Sequence, residues 1–252
     1  MTVATQDCNF ERSGSRSSYR RDWVRAFRAL RRLLANKDDT QHVFEIMRAL
    51  SGRSELDGYS RLLKSPRGGR LAYERVELVQ RLMDRSRLDA FAPGTVGAAY
   101  AEFTARENLS AEGLAEESRK GVAAEEVDEP HPLAWYGRRI RDSHDLWHIL
   151  TGYGRDGLGE ACLVAFSYAQ TRSLGWAFIA LGLLSRAGDT GLPVRRAIIE
   201  GYRRGRSAVW LPGEDYEHLM AEPLAAARAR LGLGRAPIYQ SVPVERRDIY
   251  FR

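Results

Sequence analysis

The chain has 252 residues, of which 44% are hydrophobic and 29% charged, so it is long enough to bury a core and is not an intrinsically disordered chain. Its two cysteines, Cys8 and Cys162, are far apart, which excludes a disulfide framework and a thiolate metal site and favours a reducing compartment. The net charge is +6, but basic residues alternate with acidic ones and form no dense run with aromatic residues, so we predict no nucleic-acid partner.

The N-terminal half predicts a polar arm followed by short amphipathic helices. Residues 1–20 are polar and are expected to form a disordered arm. Apolar residues then recur with the three- and four-residue spacing of one helix face at Trp23, Phe27, Leu30 and Leu34. Asp39 and Thr40 are candidate caps for a second helix. The next predicted elements are a loop over 57–69, helices over 71–84 and 98–104, and a connecting segment over 112–132.

The C-terminal half predicts five more helices and a tail. The helices are expected over 133–151, 157–171, 174–187, 194–210 and 215–231. The period-two alternation of strands is nearly absent, so we predict an all-α fold, a single-domain helical bundle over residues 21–235. Pro237 and Pro243 predict that the tail over residues 236–252 is extended.

The apolar segments are short for a membrane protein. No stretch reaches the roughly 18 consecutive apolar residues of a spanning helix. The most apolar segment, LGWAFIALGLL over residues 174–184, predicts a buried helix or one wall of an apolar pocket. A solvated, mildly basic surface is the simpler interpretation of the net charge. Attraction to an anionic membrane surface is the alternative, since each well-placed basic residue contributes about 1 kcal/mol to such binding.

The residues with chemical potential lie between two predicted helices. His144 and His148 are four residues apart, so on a helix their rings project from one face. Asp145 can join the same site or hold a ligand water. Four glycines in the next eleven residues favour a sharp turn, after which Glu160 begins a helix that can return to the histidine pair.

This pattern predicts a metal site between two consecutive helices, with His144, Asp145, His148 and Glu160 as ligands. Two imidazoles and carboxylates without a thiolate suit Zn²⁺ with open positions, and Fe²⁺ or Mn²⁺ less well. The alternative is a structural cluster, because a histidine on a helix is usually a cap or part of the core. We interpret the remaining histidines as structural; they are His42, His131 and His218.

The motif His144-Asp145-x-x-His148, eleven residues and then Glu160 resembles the signature of the Coq4 family of coenzyme Q biosynthesis proteins. The likeness extends over about residues 24–235 and includes FAPGTVGAAYAEF before the motif and GEACLVAFSYAQT after it. Tyr216 departs from the family pattern, which has Trp at this position. The region 115–135 also departs from it.

The resemblance implies an all-helical fold, zinc at the four motif residues and a role in ubiquinone (coenzyme Q) biosynthesis on or beside a membrane. It further implies the activity of a 4-hydroxy-3-methoxy-5-polyprenylbenzoate decarboxylase, a lyase-type enzyme that oxidatively replaces the carboxylate at ring carbon one. A non-catalytic scaffold that binds prenyl lipid and organises a biosynthetic complex is the other family-level interpretation.

The partners and location that follow are a polyprenylated aromatic lipid, other ubiquinone-biosynthesis proteins, a membrane surface and a second copy in a homodimer. We expect a cytoplasmic protein, peripheral on the inner membrane, or on the matrix side of the mitochondrial inner membrane in a eukaryote.

Two groups of residues are candidates for substrate contact. Arg141 lies one turn before His144, where it can pair with a substrate carboxylate or with Asp145 or Glu160, and both roles stay open; Arg141 and Asp145 are the candidate catalytic residues. The candidates for lining an isoprenoid tunnel, with an ordinary core as the alternative, are Leu163, Phe166, Trp176 and Phe178. A His-Asp phosphohydrolase is disfavoured, because Asp189 has no well-placed partner.

Overall fold

Helices form every regular element that the computed structural model describes, over residues 20–36, 41–107, 131–187 and 193–248. The predicted all-α fold is therefore confirmed. None of these helices is both long and apolar enough to cross a membrane. Several predictions concern residues outside the described ranges: the arm up to residue 19, the caps Asp39 and Thr40, most of the connecting segment 112–132, and Asp189.

The described ranges contain fifteen α-helices and two short 3-10 turns. The first seven helices are α1 Trp23–Ala35, α2 Gln41–Leu50, α3 Ser54–Leu63, α4 Gly68–Glu74, α5 Leu78–Met83, α6 Arg85–Asp89 and α7 Val96–Arg106. The others are α8 Pro132–Asp142, α9 His144–Thr151, α10 Gly157–Thr171, α11 Leu174–Arg186, α12 Val194–Ser207, α13 Tyr216–Leu219, α14 Leu224–Arg230 and α15 Pro237–Gln240. The 3-10 turns are Leu211–Gly213 and Val244–Arg246.

The predicted loop over 57–69 is wrong in its first half, because α3 runs through it. Gly58 suggested a turn, but it permits close packing instead. A Cβ added at Gly58 would lie 2.5 Å from the hydroxyl oxygen of Tyr136 on α8. The predicted helix over 133–151 is two helices separated by Ser143, and the one over 215–231 is also two, separated by a turn that ends at Pro223.

The main core surrounds α10, along which α11 and α12 pack. Almost all residues of α10 are buried, and Glu160 is one of the three that are not. Near the other end, the buried side-chain amide of Gln170 donates to the carbonyl of Gly205 (2.7 Å) and accepts from the backbone N–H of Leu211 (2.8 Å). These bonds connect the end of α10 to the last turn of α12 and to the chain that follows it.

The C-terminal segment differs from the predicted extended tail. Pro237 opens the one-turn helix α15, because proline is well tolerated in the first turn of a helix. Tyr239 and Val242 are buried. The Tyr239 hydroxyl donates to Oδ2 of Asp156 (2.5 Å) and accepts from the backbone N–H of Gly154 (2.9 Å). The tail is therefore folded against the loop between α9 and α10.

Tyr239→Phe tests how much this contact stabilises the fold. Burial and the Asp156 carboxylate raise the pKa of Tyr239, so the hydroxyl stays protonated and donates to a charged acceptor. Hydrogen bonds to charged groups contribute up to about 3 kcal/mol, and we expect the free energy of unfolding to fall by about 2 kcal/mol. Urea denaturation of the metal-free protein measures the change.

Tyr73→Phe is the matched control, because Tyr73 is 87% exposed and its free energy of unfolding should change by less than about 0.5 kcal/mol. Equal effects of the two substitutions would contradict a specific role for the Tyr239 hydroxyl.

Candidate metal centre

Helix α9, the loop over residues 152–156 and the start of α10 bring the four predicted ligands together. His144 is the first residue of α9, and His148 lies one turn further along the same helix. Glu160 lies in the first turn of α10, whose N-cap is Asp156, with Oδ1 accepting from the backbone N–H of Gly159 (2.8 Å). A Cβ at Gly159 would overlap the Gly154 carbonyl, so a glycine here allows the loop to fold back on the start of α10.

We name His144, Asp145, His148 and Glu160 the His–Asp–Glu cluster. Oε1 of Glu160 lies 3.4 Å from Nε2 of His148, and its Oε2 lies 4.0 Å from Nε2 of His144. Nδ1 of His144 lies 3.3 Å from Oδ1 of Asp145. One ligand atom from each of His144, Asp145 and His148 falls within 4.8 Å of the others. The side chains are therefore close enough to share one small cation.

His148 is oriented by contacts on both sides of its ring. Its Nδ1 lies 3.1 Å from the backbone carbonyl of Tyr153, which can only accept, so Nδ1 carries the proton and Nε2 presents its lone pair. The ring of Phe103 stacks on the imidazole with centroids 5.7 Å apart. Nε2 is buried and makes no hydrogen bond within the described part of the chain. A buried nitrogen of this kind suits a metal ligand.

The charges of the cluster stabilise one another. Burial raises the pKa of the Glu160 carboxyl, but the neighbouring imidazoles of His148 and His144, which become positively charged when protonated, outweigh burial and lower that pKa to about 2. For Asp145, burial likewise raises the pKa, and the hydrogen bond with His144 outweighs it, so the pKa is below its usual range. Burial lowers the pKa of His148, and Glu160 outweighs it and raises the pKa. Two ionised carboxylates thus favour a positive charge between them.

The cluster is open to solvent on one side. The side chain of His148 is fully buried, whereas those of His144 and Glu160 are 25% and 34% exposed. The ring of Trp176 lies almost parallel to that of His144, with centroids 6.5 Å apart and an angle of 17°. A ligand can therefore approach from the side on which His144, Glu160 and Trp176 lie.

Arg155 is a site residue that the motif did not predict. Its Nε lies 3.6 Å from Oε1 of Glu160, and its side chain is 35% exposed. It is the one Arg or Lys between His148 and Glu160, and this position was the available sequence signal. The carbonyl of Tyr153 was not predictable, because backbone acceptors carry no sequence signature.

The candidate catalytic Arg141 has a different contact from those considered from the sequence. Its Nε donates to Oδ1 of Asp142 at 2.7 Å, and both side chains are largely buried. This ion pair lies within α8 and not with Asp145 or Glu160. Contact of Arg141 with a substrate stays a prediction.

The four candidates for an isoprenoid tunnel occupy two environments. Leu163 and Phe166 are fully buried in the main core, where Phe166 packs edge-on against Trp147. Trp176 and Phe178 are half-buried on α11. A ligand could reach this second pair without opening the core.

Comparisons with known proteins agree with the family resemblance. The family model described as Coenzyme Q (ubiquinone) biosynthesis protein Coq4 matches residues 35–237. The Ubiquinone biosynthesis protein coq4, mitochondrial, of Botryotinia fuckeliana is 34% identical over 110 residues, or 44% of this chain and 36% of that protein. The Ubiquinone biosynthesis protein COQ4 homolog, mitochondrial, of Rattus norvegicus is 28% identical over 179 residues, or 69% of this chain and 63% of that protein. The matched segments thus span less than two thirds of these relatives.

The fold also has a solved counterpart. A crystal structure of a Nostoc punctiforme protein, assigned in name to ubiquinone biosynthesis, superposes with a TM-score of 0.60 at 22% identity. The superposition covers 85% of this chain and 99% of the other, which shows a shared fold. The family match covers most of the sequence, and the chain therefore belongs to the Coq4 family of coenzyme Q (ubiquinone) biosynthesis proteins.

Proposed function

We propose that this protein is a metal-dependent enzyme of ubiquinone biosynthesis, which oxidatively replaces the ring carboxylate of a polyprenylated hydroxybenzoate at carbon one. One observation carries the metal-dependent part: Nε2 of His148 is buried beside Glu160 and has no hydrogen-bond partner in the described ranges. An unsatisfied buried polar atom is costly, and a bound cation would remove the cost. Family membership supports the pathway.

The His–Asp–Glu cluster would hold the ion. Its two imidazoles and two carboxylates suit zinc, with iron or manganese as the alternatives. When bound, the ion would supply Lewis acidity that stabilises the negative charge left on the ring as the carboxylate departs. Tyr153 keeps His148 in the tautomer that can act as a ligand, and Phe103 fixes the plane of the ring.

Arg155 is the described cation best placed to bind the substrate carboxylate. Arg155 forms an ion pair with Glu160, and its positive charge offsets part of the negative charge of the Asp145 and Glu160 carboxylates. Once Glu160 has a cation as its partner, the guanidinium can pair with a second carboxylate as a bidentate fork. The net reaction replaces the ring carboxylate by a hydroxyl. With molecular oxygen as the two-electron oxidant, the carboxylate, one water and one proton are converted to the ring hydroxyl, carbon dioxide and hydrogen peroxide, so no further reductant is required.

The surface formed by α1 and α11 supports the peripheral-membrane part of the proposal. The α1–α11 face consists of Trp23, Phe27, Phe178 and Leu181. Trp23, Phe27 and Leu181 are 52%, 56% and 63% exposed although they are large and apolar, and the rings of Trp23 and Phe178 are in edge-on contact at 6.0 Å. Exposed apolar patches of this kind mark interaction surfaces, and Trp prefers the membrane interface.

Basic residues surround this face and suit anionic lipid. The exposed arginines of α1 and its approach are Arg20, Arg21, Arg25, Arg28, Arg31 and Arg32. Arg25 pairs with Glu45, while the other side chains add positive charge next to the apolar patch. An amphipathic helix with aromatic residues and arginines binds the headgroup region of a bilayer. Docking here would place α11, which also carries Trp176 of the metal centre, at the membrane.

A non-catalytic scaffold that binds prenyl lipid is the second candidate function. The observation that favours it is the assembly of four potential ligands at one point, because closed four-ligand coordination is typical of structural zinc. In that case the metal would stabilise the junction of α9 and α10, and other ubiquinone-biosynthesis proteins would carry out the chemistry.

Glu160→Ala tests the metal centre. We expect about one equivalent of metal in the wild type by elemental analysis and its loss in the variant, because one charged ligand is removed. Release of carbon dioxide from a prenylated hydroxybenzoate under oxygen should be lost in parallel. The control is Glu102→Ala on α7, which is exposed and should keep both metal and activity. Turnover by metal-free wild type would contradict the catalytic role, and bound metal without turnover would favour the scaffold.

Arg155→Gln tests the substrate contact. We expect KM for the carboxylate substrate to rise by roughly tenfold or more, with metal content unchanged, because a charge-assisted hydrogen bond contributes about 1.5–3 kcal/mol. Arg141→Gln is the comparison, and we expect it to lower stability through loss of the ion pair with Asp142. A rise in KM in Arg141→Gln but not in Arg155→Gln would identify Arg141 instead as the residue that binds the substrate carboxylate.

Replacement of both Trp23 and Phe27 by Ser tests the docking face. Burial of an aromatic side chain contributes about 1.5–3 kcal/mol to binding. We therefore expect the affinity of the double variant for phosphatidylglycerol vesicles, measured by sedimentation, to fall by at least roughly tenfold. Added salt should weaken wild-type binding by screening the arginines. Tyr73→Ser, on an exposed aromatic residue of α4, should bind like the wild type. Unchanged binding of the double variant would exclude this face.

A further inference from the structure

A cavity of about 160 Å³ lies between α4, α5, α6, α8 and the segment around α13. Four arginines line it, and we name it the arginine pocket by these residues: Arg70, Arg81, Arg87 and Arg139. Three carboxylates also line it, from Glu74, Asp215 and Glu217. None of the residues of the His–Asp–Glu cluster borders this cavity, so its chemistry is independent of the metal centre.

Two of the arginines form ion pairs with the acidic side chains of the pocket. Arg139 is 1% exposed and donates from Nη1 and Nη2 to the two carboxylate oxygens of Glu217, at 2.8 and 2.9 Å. Arg70 donates to Oδ2 of the buried Asp215, and its Nη1 lies 3.5 Å from Oε2 of Glu74. Each of the three carboxylates of the pocket thus has a guanidinium partner within it.

With the other two arginines the lining has four guanidinium groups and three carboxylates, which is a surplus of one positive charge without counting His218. Arg81 on α5 and Arg87 on α6 are half-buried at the pocket, and neither has a carboxylate oxygen within 4.0 Å of its guanidinium in the part of the chain that the structure describes. Nε of Arg139 is buried and has no hydrogen-bond partner among the same residues. Half-buried cations that lack a carboxylate at this distance, together with an unsatisfied buried donor, favour an anionic ligand.

We propose that the arginine pocket binds a phosphate group, either free phosphate or a small phosphate ester. Guanidinium groups from two different helices can each offer a pair of donors to the oxygens of one tetrahedral anion. The cavity has room for several water-sized groups, which is enough for a phosphate group and too little for a prenylated ring. Eight of the eleven lining side chains are ionisable, and the apolar members are Leu71, Val76 and Trp135.

The test is the thermal stability of the purified protein as inorganic phosphate is titrated at constant ionic strength, with chloride as the reference anion. A ligand that binds the folded state raises Tm with its concentration. We expect a saturable rise for the wild type and at least a roughly tenfold weaker midpoint when Arg81 and Arg87 are both replaced by Gln. Arg85→Gln is the matched control, because Arg85 is exposed on α6 and does not line the pocket.

Two further titrations establish where the anion binds and in which chemical form. The first uses the Glu160→Ala background, where an unchanged midpoint shows that phosphate does not act at the metal centre. In the second, glycerol phosphate replaces inorganic phosphate to distinguish an ester ligand from the free anion. If the double variant does not fold, the single variants Arg81→Gln and Arg87→Gln are compared with Arg85→Gln. No rise beyond chloride in the wild type, or an equal rise in wild type and pocket variants, would overturn the proposal.

Discussion

The carboxylate of Asp156 joins the parts of the molecule on which the candidate metal centre depends. One oxygen caps α10 by accepting from a backbone N–H in its first turn, and the other accepts from the hydroxyl of Tyr239 in the C-terminal segment. Tyr153 precedes this carboxylate by three residues and Glu160 follows it by four. The carbonyl that orients His148 and the carboxylate that faces it are therefore positioned by the same junction.

The His–Asp–Glu cluster places several ionisable side chains at the edge of an otherwise apolar core. This arrangement is tolerated because the carboxylates and the imidazoles stabilise one another. Burial by itself would neutralise each group, yet the carboxylates keep their pKa values low because imidazoles lie beside them. Helix α11 connects this site with the surface: Trp176 lies beside His144, and Leu181 belongs to the exposed α1–α11 face. The apolar helix α11 thus contributes to both the candidate metal centre and the proposed membrane-binding face.

Contacts between distant parts of the chain also explain why a Tyr suits position 216. The resemblance led us to expect Trp at this position, but Tyr216 stands there and is fully buried. Its hydroxyl accepts from Nε1 of Trp147 (2.7 Å) and donates to the carbonyl of Leu211 (2.8 Å). An indole can donate but not accept, so a Trp here could not satisfy Trp147 in this way. The Tyr216 hydroxyl thus joins two parts of the chain that are 69 residues apart.

The sequence by itself determined the helical class and the His144–His148 pair, because both depend on spacings of three and four residues within one helix. It also predicted Glu160, since the glycines before it allow a sharp return. Only the tertiary structure decided the folding of the tail onto Asp156 and the existence of the arginine pocket. The physical reason is that these features depend on contacts between residues far apart in the chain, which no local period encodes.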